Sequence, residues 1–212
     1  MGNHMSARLL RPASLAALAF FLAEVPAAAH HPMGGKTPST FMEGLLSGFG
    51  HPVIGADHLA FLLAIGVAVG VSGLNLALPA VFVAAMAIGV AAHIKGMGLP
   101  ATEIVVALSV LLAGGLIAWG RTLPVMLWAA LFAVAGLFHG YALGETVVGA
   151  ETTPIWAYLL GLVVIQTALT VGVALVVRRV AAGVTDLAPR LAGAAVVIVG
   201  LAALVQQLMP GA

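Results

Sequence analysis

From residue 52 onward the chain is a succession of apolar runs separated by short polar or Gly/Pro-containing breaks. The runs lie near residues 52–71, 76–95, 101–119, 123–142, 154–177 and 188–208. Each approaches the ~20 residues that a helix needs to cross the hydrocarbon of a bilayer. The connections "KGMGLP" and "GRTLP" are short, and Pro154 of "ETTP" suits the first turn of the fifth run. The pattern predicts an all-α polytopic bundle of six transmembrane helices over residues 51–212, with sequential helices antiparallel.

Upstream the pattern changes. "SLAALAFFLA", residues 14–23, is a shorter apolar run, preceded by Arg8 and Arg11 and followed by "VPAAAH". This is the layout of a secretory signal peptide over residues 1–29, cleaved after Ala29. Residues 30–50 are then expected as a periplasmic lead-in. Within it Thr40 and Glu43 form a T-x-x-E capping box. A short interfacial helix over residues 41–48 is predicted to follow, broken at "GFGHP", residues 48–52, by glycines and an X-Pro pair.

Composition fixes the solvent. The 212 residues are 62% hydrophobic and 7% charged, against about 25% charged in soluble domains. Such a chain cannot cover itself in water, so a lipid bilayer is its expected surround. The net charge of +1 carries no nucleic-acid footprint. The absence of cysteine excludes disulfides and thiolate metal sites. Gly66 and Gly70, and Gly136, Gly140 and Gly144, repeat at four-residue spacing. That spacing favours close helix crossings within one chain or between copies in a homo-oligomer. Both sets flank polar residues, so these two helices are expected to cross near a site.

Charge gives orientation. With the mature N-terminus outside, Arg121, Arg178, Arg179 and Arg190 fall inside, and Lys36 and Lys95 outside, as the positive-inside rule requires. The same topology places His30, His31, His51, His58, His93 and His139 outside or in the outer half of the membrane. Glu43, Asp57, Glu103, Glu145 and Glu151 join them; Asp186 is the exception. Ionisable groups are costly in hydrocarbon and mark functional sites there. The charge pattern thus predicts a chain that crosses its membrane several times, with the mature N-terminus outside the cytoplasm.

The residue types narrow the chemistry. Imidazole and carboxylate ligands suit Ni²⁺, Co²⁺, Zn²⁺ and Cu²⁺, whereas Mg²⁺ and Ca²⁺ sites use oxygen. His51 and His58, seven residues apart, would lie ~10 Å apart along a regular helix, too far to share an ion unless the helix start is irregular. His51 is thus either a first-contact ligand above the site or a direct member. Asp57 is a ligand or the partner that orients an imidazole. His93 and His139 lie near helix ends, and the glycines of "HGYALGE" let Glu145 fold back toward His139. The candidate metal residues are therefore His51, Asp57, His58, His93, His139 and Glu145. His30 and His31 are capture ligands, Glu103 and Gln166 pathway residues, and Glu43 a helix cap.

"HPVIGADH", "AAHIKG" and "FHGYALGE" resemble the HupE/UreJ family of bacterial membrane proteins, and "VGAETTPIWAYLLGLVVIQ" extends the likeness over nearly the whole mature chain. The resemblance implies uptake of nickel or cobalt, with functional links to hydrogenase, urease or cobalamin pathways. By it His51, Asp57 and His58 match the first-helix motif, and His139 and Glu145 the later one. Many members read F-H-G-x-A-H-G there, and Leu143 replaces the second histidine. The expected function is a secondary permease that imports a divalent transition metal as substrate, Ni²⁺ or Co²⁺ before Zn²⁺ or Cu²⁺, and not an enzyme. The rivals are a metal-binding accessory or sensor protein and an intramembrane metal-dependent hydrolase; the chain has no H-E-x-x-H motif for the latter.

Overall fold

The computed structural model describes residues 36–181 and 187–209. The predicted signal peptide, His30, His31 and Asp186 lie outside the described residues. Among the described residues the chain is helical, without strands, in seven α-helices: α1 (Phe41–Ile54), α2 (Ala56–Val71), α3 (Pro79–Ile94), α4 (Thr102–Ala118), α5 (Val125–Gly144), α6 (Thr152–Ala181) and α7 (Leu187–Leu208). A 3-10 turn, Glu145–Val147, follows α5. Helices α2 to α7 fall within a few residues of the six predicted runs. By length and composition three helices can cross a membrane, and four if α1 and α2 count as one bent span; α3 and α4 are shorter apolar helices of 16 and 17 residues. Large apolar side chains such as Ile88, Leu112, Met126, Trp156 and Leu191 remain exposed on the outside of the bundle, a surface that lipid solvates more readily than water.

The start of the bundle differs from expectation. Thr40 and Glu43 do form the predicted capping box, closed by bonds of 3.2 Å in each direction. The helix does not stop at "GFGHP", however. It continues through Pro52 to Ile54, and the break falls at Gly55, where α1 and α2 meet at 78°. Packing explains the difference. A Cβ on Gly48 would lie 2.3 Å from the Tyr158 carbonyl oxygen and 3.0 Å from Gly161 Cα. Gly48 is there for close approach to α6, not to interrupt the helix.

Most of the tight packing joins helices that are not sequence neighbours. Helix α3 lies on α5, α4 on α7, and both α1 and α2 on α6; α2 is central and also touches α4 and α7. Glycines set these contacts. Gly136 faces Phe82, Gly140 faces Met86 and Gly144 faces His93, a rising register that makes α3 and α5 parallel. Gly66 and Gly70 face Val173 and Val177 of α6. The two glycine stripes therefore pack against different partners within the chain and not against each other, contrary to the crossing that the sequence suggested, although their helices meet near the site through His58 and His139. Small residues let backbones touch, which substitutes in lipid for a hydrophobic drive between helices.

Chain direction puts different chemistry at the two ends. One end gathers the α1–α2 bend, His93, Glu103, His139 and Glu145. The other gathers the turn after α2, Arg121, Arg178 and Arg190; there an Arg178 Nη2–H donates to the Leu74 carbonyl.

Candidate functional site

The Gly55 bend changes the spacing of the first motif. His51 ends α1 and His58 opens α2, and their ring centroids are 5.9 Å apart, well inside the ~10 Å Cα separation of a straight helix. Asp57 caps its own turn by accepting the His58 backbone N–H at 2.8 Å. Its Oδ1 stands 3.9 Å from His58 Nδ1. Gly55 is confined by this arrangement: a Cβ there would sit 3.1 Å from His58 Cδ2 and 3.4 Å from Asp57 Oδ1. Its φ of −69° suits any residue, so Gly55→Ala tests ring placement rather than backbone strain. The expected result is weaker metal uptake at normal expression, with a loss smaller than the ~10–100-fold typical of removing an outer hydrogen-bond partner, read in an uptake assay.

A hydrogen-bonded chain leads inward from His58. Its Nδ1 is 2.9 Å from His139 Nδ1, and His139 Nε2 is 2.9 Å from Ser109 Oγ. Ser109 donates its hydroxyl proton to the Val106 carbonyl at 2.7 Å. A serine has one proton to give, so Ser109 accepts from His139 Nε2–H. His139 Nδ1 is then the acceptor, and His58 Nδ1–H the donor. The remaining nitrogen of His58, Nε2, carries its lone pair. His139 is 0% exposed; Phe61 stacks on its ring at 4.7 Å and Phe82 meets it edge-on at 5.8 Å.

A second chain orients His51. The Tyr158 hydroxyl donates to the Leu143 carbonyl at 2.7 Å. Its oxygen, and that of Thr146, lie 3.0 and 2.7 Å from His51 Nδ1. With the tyrosine proton committed to Leu143, Tyr158 can only accept from His51, while the Thr146 hydroxyl can donate to Nδ1 or accept from it, so the two hydroxyls fix the orientation of the His51 ring and leave its tautomer open. Both chains end on a helix carbonyl, and in each a hydroxyl passes the polarity of that carbonyl to an imidazole. Such outer partners fix ring orientation in metal-binding histidines.

The other candidates are placed less closely. His93 bonds the Tyr141 carbonyl through Nδ1–H at 2.6 Å and stacks on the Tyr141 ring at 4.3 Å, which fixes its tautomer as in His58. Glu145 is exposed in the 3-10 turn, and Glu103 is exposed in the first turn of α4. Glu103 lies within electrostatic reach of Asp57 and Glu145, so three carboxylates share this end of the bundle. Gln166 is 1% exposed on α6 and its Oε1 has no hydrogen-bond partner among the described residues. Among the described residues, no three His, Asp or Glu side chains converge closely enough to hold a metal ion. Leu143 contributes its carbonyl to the network, while its side chain is buried in the core.

Sequence reasoning passed over Ser109, Thr146 and Tyr158. Each is a hydroxyl in or beside an apolar run, and that isolation was the available signal. Ser109→Ala removes the acceptor for His139 Nε2–H and leaves a buried donor unmatched. Metal uptake is expected to fall ~10-fold or more at matched protein levels, measured as initial rates in cells.

An all-helical chain with apolar helices and a buried imidazole network at one end is a polytopic membrane protein built around a polar site. The match to known proteins is specific. The family model described as HupE / UreJ protein matches residues 18–203. The chain is 33% identical over 195 residues to Protein HupE of Rhizobium leguminosarum bv. viciae, covering 91% of this chain and 95% of that protein. The chain belongs to the HupE/UreJ family. No solved structure matches it.

Proposed function

We propose that this protein is a secondary permease that imports a divalent transition metal, Ni²⁺ or Co²⁺, across the bacterial inner membrane. Helices α2 to α7 supply six passes, with α3 and α4 as short, tightly packed spans. The mature N-terminus and the histidine end face the periplasm, and the arginine end faces the cytoplasm. The observation that carries this reading is the buried cluster of His51, His58 and His139 from three helices, with its rings oriented by Ser109, Tyr158 and Thr146. Family membership and a chain free of thiolates point the same way.

The residues divide the work. His30 and His31 collect the ion, and Glu103 and Glu145 concentrate cations at the histidine end. His51 and His58 form the first binding step, Asp57 positions His58 by accepting its backbone N–H, and water supplies the remaining coordination. His139 has both ring nitrogens committed, so it acts by holding His58 rather than by ligating the ion. His93 is a ligand on the adjoining helix pair. Inward of the network, Gln166, helix carbonyls and water carry the ion on.

Neutral imidazole binds a metal and imidazolium does not. The sign is therefore fixed: uptake is full where the histidines are neutral and falls as external pH drops through the range that protonates them. Initial uptake of radiolabelled nickel and cobalt by cells carrying the protein, measured across external pH, tests this. A rate that rises as pH falls through that range rules out neutral histidine as the capture group.

A further inference from the structure

The arginine end holds a second polar concavity that the histidine network does not use. A cavity of 170 Å³ lies between the end of α2, the end of α4 and the starts of α5 and α7. Its polar lining is Ser72, Arg121, Thr122, Trp128 and Arg190. One water needs only ~10–15 Å³, so the space admits a larger guest.

Three observations give the cavity its sign. Arg121 and Arg190 are permanently cationic. The described carboxylates, Glu43, Asp57, Glu103, Glu145 and Glu151, all sit at the other end by chain direction; Asp186 lies outside the described residues. Second, Trp128 is 1% exposed, and its Nε1–H has no hydrogen-bond partner among the described residues. An indole only donates, so an acceptor is what this group lacks. Third, the backbone makes room for a guanidinium. Gly120, at φ +69°, closes α4 with its N–H on Ile117 O at 3.0 Å, while Arg121 N–H reaches Leu116 O at 2.9 Å. A Cβ on Gly120 would stand 3.1 Å from Arg190 Nη2. Arginines often gather at helix C-termini for the dipole alone. That accounts for Arg121, which follows the C-terminus of α4, but not for Arg190 in the first turn of α7, and it leaves the indole donor unexplained.

We infer that this cavity binds a phosphate group. Arg121 and Arg190 neutralise its charge, and Trp128 Nε1–H with the Ser72 and Thr122 hydroxyls donates to its oxygens. Two sources present this chemistry: the headgroup of an anionic phospholipid in the adjoining leaflet, and dissolved inorganic phosphate. The cavity is separate from the cation path, because its charge repels a divalent metal.

The test uses the purified full chain in detergent, ¹⁵N-labelled at tryptophan. The chain has three tryptophans, Trp119, Trp128 and Trp156, and Trp128→Phe assigns the indole resonance. Inorganic phosphate, short-chain phosphatidylglycerol and short-chain phosphatidylcholine are titrated in turn. A saturable shift of the Trp128 indole N–H is expected, with binding at least ~10-fold weaker in the Arg121→Gln/Arg190→Gln variant. Saturation by phosphatidylglycerol alone identifies the lipid headgroup, and saturation by inorganic phosphate identifies the dissolved anion. A Trp128 resonance that neither probe moves overturns the inference. So does equal affinity in the double variant with the other indole resonances unchanged, or an equal response to phosphatidylcholine, whose headgroup carries its own cation.

Discussion

His58→Ala is expected to reduce nickel and cobalt uptake to the level of cells without the protein, at normal abundance in the membrane. His58 joins every part of the network: it faces His51 at 5.9 Å, follows Asp57, and donates to His139 at 2.9 Å. Its loss removes one lone-pair nitrogen and strands His139 Nδ1 as a buried acceptor. Asp57→Ala shares the effect, because Asp57 caps the first turn that carries His58. His139→Ala separates ligation from support. If His139 only holds His58, its loss weakens uptake by the ~10–100-fold of an outer partner, and raised external nickel restores part of the rate. Uptake assays over a concentration series, with protein quantified in membranes, distinguish the two patterns.

Gly140→Leu is expected to abolish accumulation of folded protein. A Cβ at Gly140 alone would lie 2.0 Å from the Met86 carbonyl oxygen and 2.6 Å from Met86 Cα. These are backbone atoms, so no rotamer change relieves the overlap, and α3 must move off α5. Overpacking ordinarily costs ~1–3 kcal/mol, and separation of a backbone contact lies at or above the upper end. The control is Gly115→Ala, where nothing stands within 4 Å of the added Cβ. There the helix propensity of alanine applies and stability is unchanged or improved by up to ~1 kcal/mol. Thermal melts of purified protein and membrane abundance read both. Gly140 follows His139 directly, so the "HG" pair of the motif combines a network residue with the contact that seats its helix.

The helical class and the approximate limits of α2 to α7 were legible because each apolar run is bounded by glycine, proline or charge. The membership in the HupE/UreJ family was legible in three short motifs. The segregation of histidines and acids from arginines was legible too, since it needs only alternating chain direction. What failed was local. Gly48 and Pro52 read as a helix break, yet the contact of Gly48 with Tyr158 and Gly161 keeps α1 continuous, and the bend moved to Gly55. Packing partners of a glycine stripe are a tertiary property, so Gly66 and Gly136 could not announce α6 and α3. Ser109 and Tyr158 were invisible for the same reason. A lone hydroxyl in an apolar run acquires meaning only when another helix brings an imidazole to it.

The most direct measurement is metal flux into proteoliposomes that contain only this protein. Unmodified protein is expected to admit Ni²⁺ or Co²⁺ faster than empty liposomes, and folded Asp57→Ala and His58→Ala proteins to admit neither above background. No flux from well-folded protein, or full flux in both variants, would contradict a permease that works through this site.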